Sequence, residues 1–210
     1  MPTTHLLIIN TADECVIGGR KIHVEQAIKA LGCEAVFLKG VITVHCDAVE
    51  PVAEAYKALH IFPTAQIEGL RFYSCALGKS YELSSESTAS SILNQALFGF
   101  DFPAIINQAY KDGVRLFLEM GPGSSCTRMI KQILAGKPHF AASACINGED
   151  DYVTILNTLG RLIAERVPVS LESLYGENAN PADGIVWKKT KSTDTITMII
   201  GGKSPIPALP

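Results

Sequence analysis

The chain has 210 residues, of which 47% are apolar, and 18 basic and 21 acidic residues give it a formal charge of −3. This composition predicts a folded protein with a sizeable core and excludes a largely disordered chain. Because the charges are scattered and nearly balanced, a surface for nucleic acid is not expected, and no apolar run approaches the roughly 20 residues that cross a bilayer.

The six cysteines lie singly along the chain, without a Cys-x-x-Cys pair or a His-x-x-x-His spacing that would predict zinc. Most have apolar neighbours in sequence, which is typical of reduced thiols packed in a core. The N-terminus lacks a basic segment followed by a long apolar run, so no export signal is expected. These features predict a cytoplasmic protein with no metal site.

Two hydrophobic periods alternate along the chain, and this alternation predicts an α/β fold. Short apolar runs predict strands at residues 6–10, 14–17, 35–38, 71–75, 115–119 and 140–145. Between them, apolar residues at three- and four-residue steps predict helices with core-facing stripes. The stripes are Val24, Ala27, Ile28 and Leu31; Val49, Val52, Ala53 and Tyr56; Ala89, Ile92, Leu93, Ala96 and Leu97; Cys126, Met129, Ile130, Ile133 and Leu134; and Tyr152, Ile155, Leu156, Leu159 and Ile163.

Capping and turn residues predict where these elements begin and end. Gly32, Gly113 and Gly136 each follow a predicted helix, and acidic residues at 149–151 favour the start of the last long one. A three-residue connection at 11–13 predicts a hairpin of the first two strands. We therefore expect a small hairpin-plus-helix unit at residues 1–40, strand-helix repeats of a larger sheet at 41–175, and a linker or extended tail at 176–210.

Residues 115–130 contain an apolar strand, a Gly-Pro-Gly turn and an amphipathic helix. Gly121 and Gly123 lack a Cβ, so the chain can turn sharply there and approach a bound group closely, while Pro122 restricts one φ angle. Ser124, Ser125 or Thr127 is expected to cap the helix that follows. A second unusual segment ends in His45, where a predicted strand gives way to a helix.

Four motifs in a fixed order identify a family. They are Glu-Cys-Val-Ile-Gly-Gly at 14–19, Val-His-Cys with Glu-Pro and Ala at 44–53, Asn-Gln-Ala-Leu at 94–97 and Leu-Glu-Met-Gly-Pro-Gly at 118–123. Together they closely resemble the malonyl-CoA:acyl-carrier-protein acyltransferases over about residues 5–175. The amino-acid sequence at 71–75, 100–103 and 121–128 is most similar to that of acyltransferase domains of polyunsaturated-fatty-acid and related polyketide synthases.

The resemblance implies an α/β-hydrolase-like acyltransferase domain with a ferredoxin-like small subdomain, of which this chain would hold the C-terminal part. It implies transfer of an acyl group from coenzyme A, through a serine ester, to the phosphopantetheine thiol of an acyl carrier protein, without a bound cofactor. His45 matches the catalytic histidine and Gln95 the residue whose backbone carbonyl orients it. Gly121, Pro122 and Gly123 would shape a wall beside the site.

One decisive feature of that family does not occur in the 210 residues, which contain no Gly-x-Ser-x-Gly elbow for the nucleophile. In the family this serine precedes the hairpin with which the chain begins. Three explanations are open: a fragment of a longer synthase, a partner chain that supplies the serine, or a non-catalytic remnant that binds carrier protein. The 210 residues by themselves are expected to be inactive.

Three other classes of function fit parts of the sequence. Cys126 at a helix start could serve a cysteine hydrolase with His45 as base, although a packed core thiol is the commoner situation. The run Gly-Gly-Lys-Ser at 201–204 ends like a phosphate-binding loop, but it lacks the first glycine and a following helix. A pure interaction module that binds carrier protein without turnover is the serious rival.

Overall fold

The computed structural model describes residues 4–39 and 44–175, and it confirms the α/β class. The seven strands are β1 Thr4–Ile9, β2 Cys15–Gly19, β3 Phe72–Ser74, β4 Lys79–Tyr81, β5 Phe100–Asp101, β6 Leu116–Glu119 and β7 Phe140–Ser143. The helices are α1 Lys21–Leu31, α2 Ala53–Ala58, α3 Ser85–Phe98, α4 Phe102–Lys111, α5 Ser125–Ile133, α6 Asp151–Ala164 and α7 Glu172–Tyr175, with a 3₁₀ helix at Asp47–Val52 before α2.

The strands of the described residues form three small sheets. β1 pairs with β2 as the predicted antiparallel hairpin and, on its other side, with β5 in parallel, which gives the order β2-β1-β5. β3 and β4 form a second hairpin, and β6 and β7 pair in parallel with Leu116 opposite Phe140. The parallel pair is connected through α5, as expected for a βαβ unit. β1 is therefore the central strand of the first sheet, with its hairpin partner β2 on one side and β5, which follows α3, on the other.

Two sequence-based expectations about the sheets are wrong. Residues 35–38 are not a strand: they pair with no strand of the described residues, and Val36 is 89% exposed despite its β propensity. The larger single sheet expected after residue 41 is likewise replaced, among the described residues, by short separate sheets. β-propensity marks a side chain that suits a pleated surface, but a strand also needs a neighbour to pair with.

A compact apolar cluster lies between α4, α5 and the β6-β7 pair. Its buried members are Ile105, Ile106, Ile130, Leu134 and Ala141. The stripe predicted for α5 is confirmed here, since Met129, Ile130 and Leu134 are buried. This packing holds α5 against β7 and so determines where the turn at 121–123 lies.

The apolar stripe predicted to face the core on α6 is mostly exposed instead. Tyr152, Ile155 and Ile163 are exposed, whereas Thr154, Thr158 and Leu162 form the buried face. The hydroxyl of Thr158 donates to the main-chain oxygen of Ser143 at 3.1 Å, so a polar contact at the end of β7 selects this face. The start of α6 is as predicted, because the Asp150 side chain accepts from the amide of Val153.

The chain divides into two compact units, Met1–Arg166 and Val167–Pro210. In the second unit the structure describes α7, which begins after a contact between the amide of Glu172 and the Ser170 hydroxyl. The predicted tail at 176–210, with the loop-like run at 201–204, lies outside the described residues, as do residues 40–43 of the strand expected before His45. The predicted division at residue 40 stays a prediction. No described helix combines the length and the apolar character that a membrane crossing requires.

Candidate active site

His45 lies in the bend that leads into the 3₁₀ helix, and its backbone is unusual. Its φ angle is +70°, a left-handed value that non-glycine residues rarely adopt. Such a conformation costs on the order of 1–3 kcal/mol and is concentrated at functional sites. The imidazole is half-buried, so it combines fixed packing with access to a ligand.

One hydrogen bond orients the imidazole. Nδ1 of His45 lies 2.7 Å from the main-chain oxygen of Gln95 in the last turn of α3. Because a carbonyl oxygen only accepts, Nδ1 must carry the proton, and in the neutral ring the lone pair is then on Nε2. The ring also meets Phe100 edge to face, with centroids 5.5 Å apart. The structure thus joins the two residues that the sequence singled out and defines the tautomer.

Gly99 brings these parts together. It ends α3 with a φ of +70°, and its amide donates to the oxygen of Gln95 at 3.2 Å. A Cβ at this position would overlap the main-chain oxygen of Leu7 in β1 and approach the main-chain oxygen of His45 to 3.3 Å. Only glycine therefore allows α3, β1 and the His45 segment to meet so closely.

An open depression of about 440 Å³ surrounds the imidazole. His45, Cys46, Asp47 and Glu50 line one side, and His5 of β1 contributes from another element. His5 Nδ1 lies 3.5 Å from a carboxylate oxygen of Asp47. Sequence reasoning left His5 without a role, because nothing in the neighbourhood of residue 5 indicates that β1 lies beside His45.

The Gly-Pro-Gly turn is held at the end of β7. The amide of Gly123 donates to the oxygen of Cys145 at 2.9 Å, and the Ser143 hydroxyl donates to the oxygen of Gly123 at 2.5 Å. Gly123 needs glycine for its φ of +105°, but a Cβ at Gly121 would meet nothing within 4 Å in the described part of the chain. The depression that contains His45 is not lined by residues 121–123. Their role as a wall beside His45 therefore stays a prediction.

The start of α5 is capped differently from the expectation. Ser124 makes no capping bond with its side chain. Instead the carboxylate of Glu119, at the end of β6, accepts from the amides of Cys126 at 3.2 Å and Thr127 at 2.7 Å. A carboxylate at this point satisfies free amides and compensates the helix dipole.

This cap opposes a nucleophilic role for Cys126. Burial, together with the negative charge of Glu119, raises the pKa of the Cys126 thiol above its ordinary value. A reactive cysteine at a helix start requires the opposite shift. Burial likewise raises the pKa of Cys75, with a smaller contribution from Cys126.

The expectation that most cysteines are core residues is only partly right. All six are free thiols, but Cys46 alone of them is buried. Cys15 and Cys33 are exposed, and the remaining three are partly buried. Apolar neighbours in sequence do not ensure burial, because adjacent side chains of a strand or loop point to different sides.

Curated relatives agree with the resemblance drawn from the motifs. One subunit of the polyunsaturated fatty acid synthase of Thraustochytrium sp. is 26% identical over 183 residues, which are 81% of this chain and 9% of the relative. A highly reducing polyketide synthase of Penicillium soppii is 25% identical over 184 residues, or 80% of this chain and 7% of the relative. No family model matches the sequence.

Solved structures agree at the level of the fold. The acyltransferase domain from the second module of the salinomycin polyketide synthase superposes with a TM-score of 0.73 at 18% identity, covering 87% of this chain and 43% of that domain. The malonyl CoA-acyl carrier protein transacylase of Clostridium perfringens gives a TM-score of 0.64 at 23% identity over 78% of this chain and 50% of that protein. The chain is thus similar to acyltransferase domains and spans about half of their length.

Proposed function

We propose that the chain is the C-terminal part of an acyltransferase domain that moves an acyl group, malonyl by resemblance, from coenzyme A to the phosphopantetheine thiol of an acyl carrier protein. The observation that carries this proposal is the bond of 2.7 Å between His45 Nδ1 and the oxygen of Gln95. It prepares a histidine with a basic Nε2 in a depression that is open to a ligand. The curated relatives are fatty acid and polyketide synthases, which favours an acyl thioester as the substrate, and the cytoplasm is where we expect this chemistry.

In the proposed first half-reaction, Nε2 of His45 takes the proton of a serine hydroxyl while the serine oxygen attacks the thioester carbon. The carbon–sulfur bond breaks, and the imidazolium returns the proton to the leaving thiolate of coenzyme A. In the second half-reaction the carrier thiol gives its proton to Nε2 and attacks the serine ester. The proton then goes to the serine oxygen, which restores the starting state.

The Gln95 carbonyl has the role that an acidic side chain has in other triads. It keeps the proton on Nδ1 and stabilises the imidazolium that forms during the reaction. The Gln95 oxygen also accepts from the Gly99 amide, and a carbonyl oxygen has two lone pairs, so it can accept from both groups. It lies near the negative end of the α3 dipole, which favours an imidazolium beside it.

The serine itself must come from a segment outside the 210 residues, since these contain no Gly-x-Ser-x-Gly. We propose that this segment completes an α/β-hydrolase-like large subdomain, and that the hairpin β1-β2 with α1 belongs to a ferredoxin-like small subdomain. A C-terminal position within such a domain is consistent with the finding that this chain covers about half the length of the solved acyltransferases.

The test compares the chain alone with the chain joined in frame to a segment that carries the serine elbow. After incubation with malonyl-CoA, intact mass should show a malonyl adduct only on the joined protein, and a carrier protein should discharge it. A stable adduct on a serine of the 210 residues would contradict the proposal. Carrier protein retained by the joined protein without any transfer would favour the interaction module.

A further inference from the structure

We propose that His5, Cys46 and Asp47 form a zinc-binding site beside His45. A ring nitrogen of His5, the sulfur of Cys46 and a carboxylate oxygen of Asp47 all lie within 4.8 Å of one another. β1 brings His5 to the bend that holds the other two residues, so the fold assembles three ligand types from distant parts of the sequence. This conclusion differs from the expectation, based on sequence spacing, that the chain has no metal site.

The three ligand atoms suit zinc in kind and in spacing. Thiolate sulfur, imidazole nitrogen and carboxylate oxygen are its usual protein ligands, and together they favour Zn²⁺ over Mg²⁺ or Ca²⁺, which prefer oxygen alone. Two ligands at about 2.0–2.1 Å from a tetrahedral zinc stand about 3.4 Å apart. His5 Nδ1 and Asp47 Oδ1 are already 3.5 Å apart. The Cys46 sulfur lies within 4.8 Å of the other two ligand atoms. In a tetrahedral site with a Zn–S bond of about 2.3 Å these separations are about 3.6 Å, so the sulfur must approach each atom by about 1.2 Å at most.

The surroundings provide both protection and an open position. Cys46 is 6% exposed, the side chain of His5 is 17% exposed, and that of Asp47 is 52% exposed. The soft ligands are therefore shielded while the carboxylate borders the open depression. Water in this depression, or Glu50 on its wall, supplies the fourth ligand that a tetrahedral ion requires.

Zinc at this point would act on the segment that carries His45. Cys46 and Asp47 follow His45 directly in the chain, and His45 holds a left-handed backbone conformation. Two metal bonds to the next two residues would fix this bend against β1. The inference concerns binding alone and holds whether or not the chain takes part in acyl transfer.

Cobalt, which reports its ligands by absorbance, tests the site on the full chain at neutral pH. One equivalent of Co²⁺ should give the visible bands of a tetrahedral ion and a near-ultraviolet thiolate-to-metal band, and Zn²⁺ should displace it. Cys46→Ser should abolish the thiolate band. His5→Ala and Asp47→Asn should each weaken Co²⁺ binding by about tenfold or more, because each removes one of three protein ligands.

Matched controls decide whether binding is specific. Cys33→Ser removes an exposed thiol, and His60→Ala removes a histidine that bonds a backbone oxygen elsewhere, so both should leave the titration unchanged. Because Asp47 is exposed, Asp47→Asn should fold normally, which circular dichroism checks. A thiolate band that survives Cys46→Ser, a band lost in Cys33→Ser, or Co²⁺ affinity unchanged in a folded Asp47→Asn would overturn the site.

Discussion

The imidazole Nδ1 of His45 lies 2.7 Å from the main-chain oxygen of Gln95, so the last turn of α3 orients this histidine through its backbone. Three short elements are needed for this contact: the end of α3, the glycine that follows it and the bend before the 3₁₀ helix. Substitutions in these elements separate the chemistry of the contact from its structural support.

Replacing His45 by alanine in the joined, serine-bearing protein should lower the rate of malonyl transfer by about 10²–10⁴-fold, because the general base is removed. The measurement is transfer of radiolabelled malonyl to a carrier protein. His60→Ala is the matched control, since His60 Nδ1 also lies 2.7 Å from a backbone oxygen, that of Tyr56. Equal rates for the two variants would exclude His45 from the mechanism.

Replacing Gln95 by alanine should change the transfer rate by less than about threefold, because alanine supplies the same carbonyl and favours the helix. The same transfer assay measures it, with Asn94→Ala as the neighbouring control on α3. A loss as large as that of His45→Ala would show that the Gln95 side chain takes part, and that its backbone carbonyl is not sufficient to orient the imidazole.

Replacing Gly99 by alanine should lower the free energy of unfolding by about 3 kcal/mol or more, since both the backbone conformation and the overlap with the Leu7 oxygen oppose a Cβ. Urea unfolding of the full chain measures this. Gly32→Ala separates the two causes: Gly32 also has a positive φ, +63°, but a Cβ there meets nothing within 4 Å. It should cost only about 1 kcal/mol. Equal losses would mean that the close approach at Gly99 contributes nothing.

Cys126 should react with iodoacetamide at least about tenfold more slowly than the exposed Cys15 at pH 7.5, because its raised pKa leaves less thiolate. Peptide mass spectrometry follows each site. Glu119→Gln removes the nearby negative charge, lowers the pKa of Cys126 and should speed its labelling. Rapid modification of Cys126 in the unchanged protein would revive the cysteine-hydrolase alternative.

Sequence patterns predict the elements whose signal is local. Two apolar runs and a short connection predict the hairpin of β1 and β2, and an apolar stripe predicts α5, whose partner helix and strand do bury it. Motifs in a fixed order single out His45 and Gln95, which the fold brings into contact, and their catalytic roles stay a prediction. In each case the information lies within a few neighbouring residues or in their order along the chain.

Other features depend on partners that the sequence does not reveal. Residues 35–38 have strand-like side chains but no strand beside them in the described part of the chain. α6 buries its threonines, and Thr158 donates to a backbone oxygen at the end of β7. Glu119, rather than a serine, caps α5 because β6 ends directly in front of that helix. Each outcome is decided by which groups meet in space.

Local periodicity was enough to predict the alternation of strands and helices, and the order of the motifs carried the resemblance that singled out the candidate histidine. The proton position on His45, the need for glycine at residue 99 and the approach of His5 to Cys46 and Asp47 became visible in the folded chain alone. Those properties arise from distances between segments far apart in the sequence, and packing rather than local propensity sets such distances.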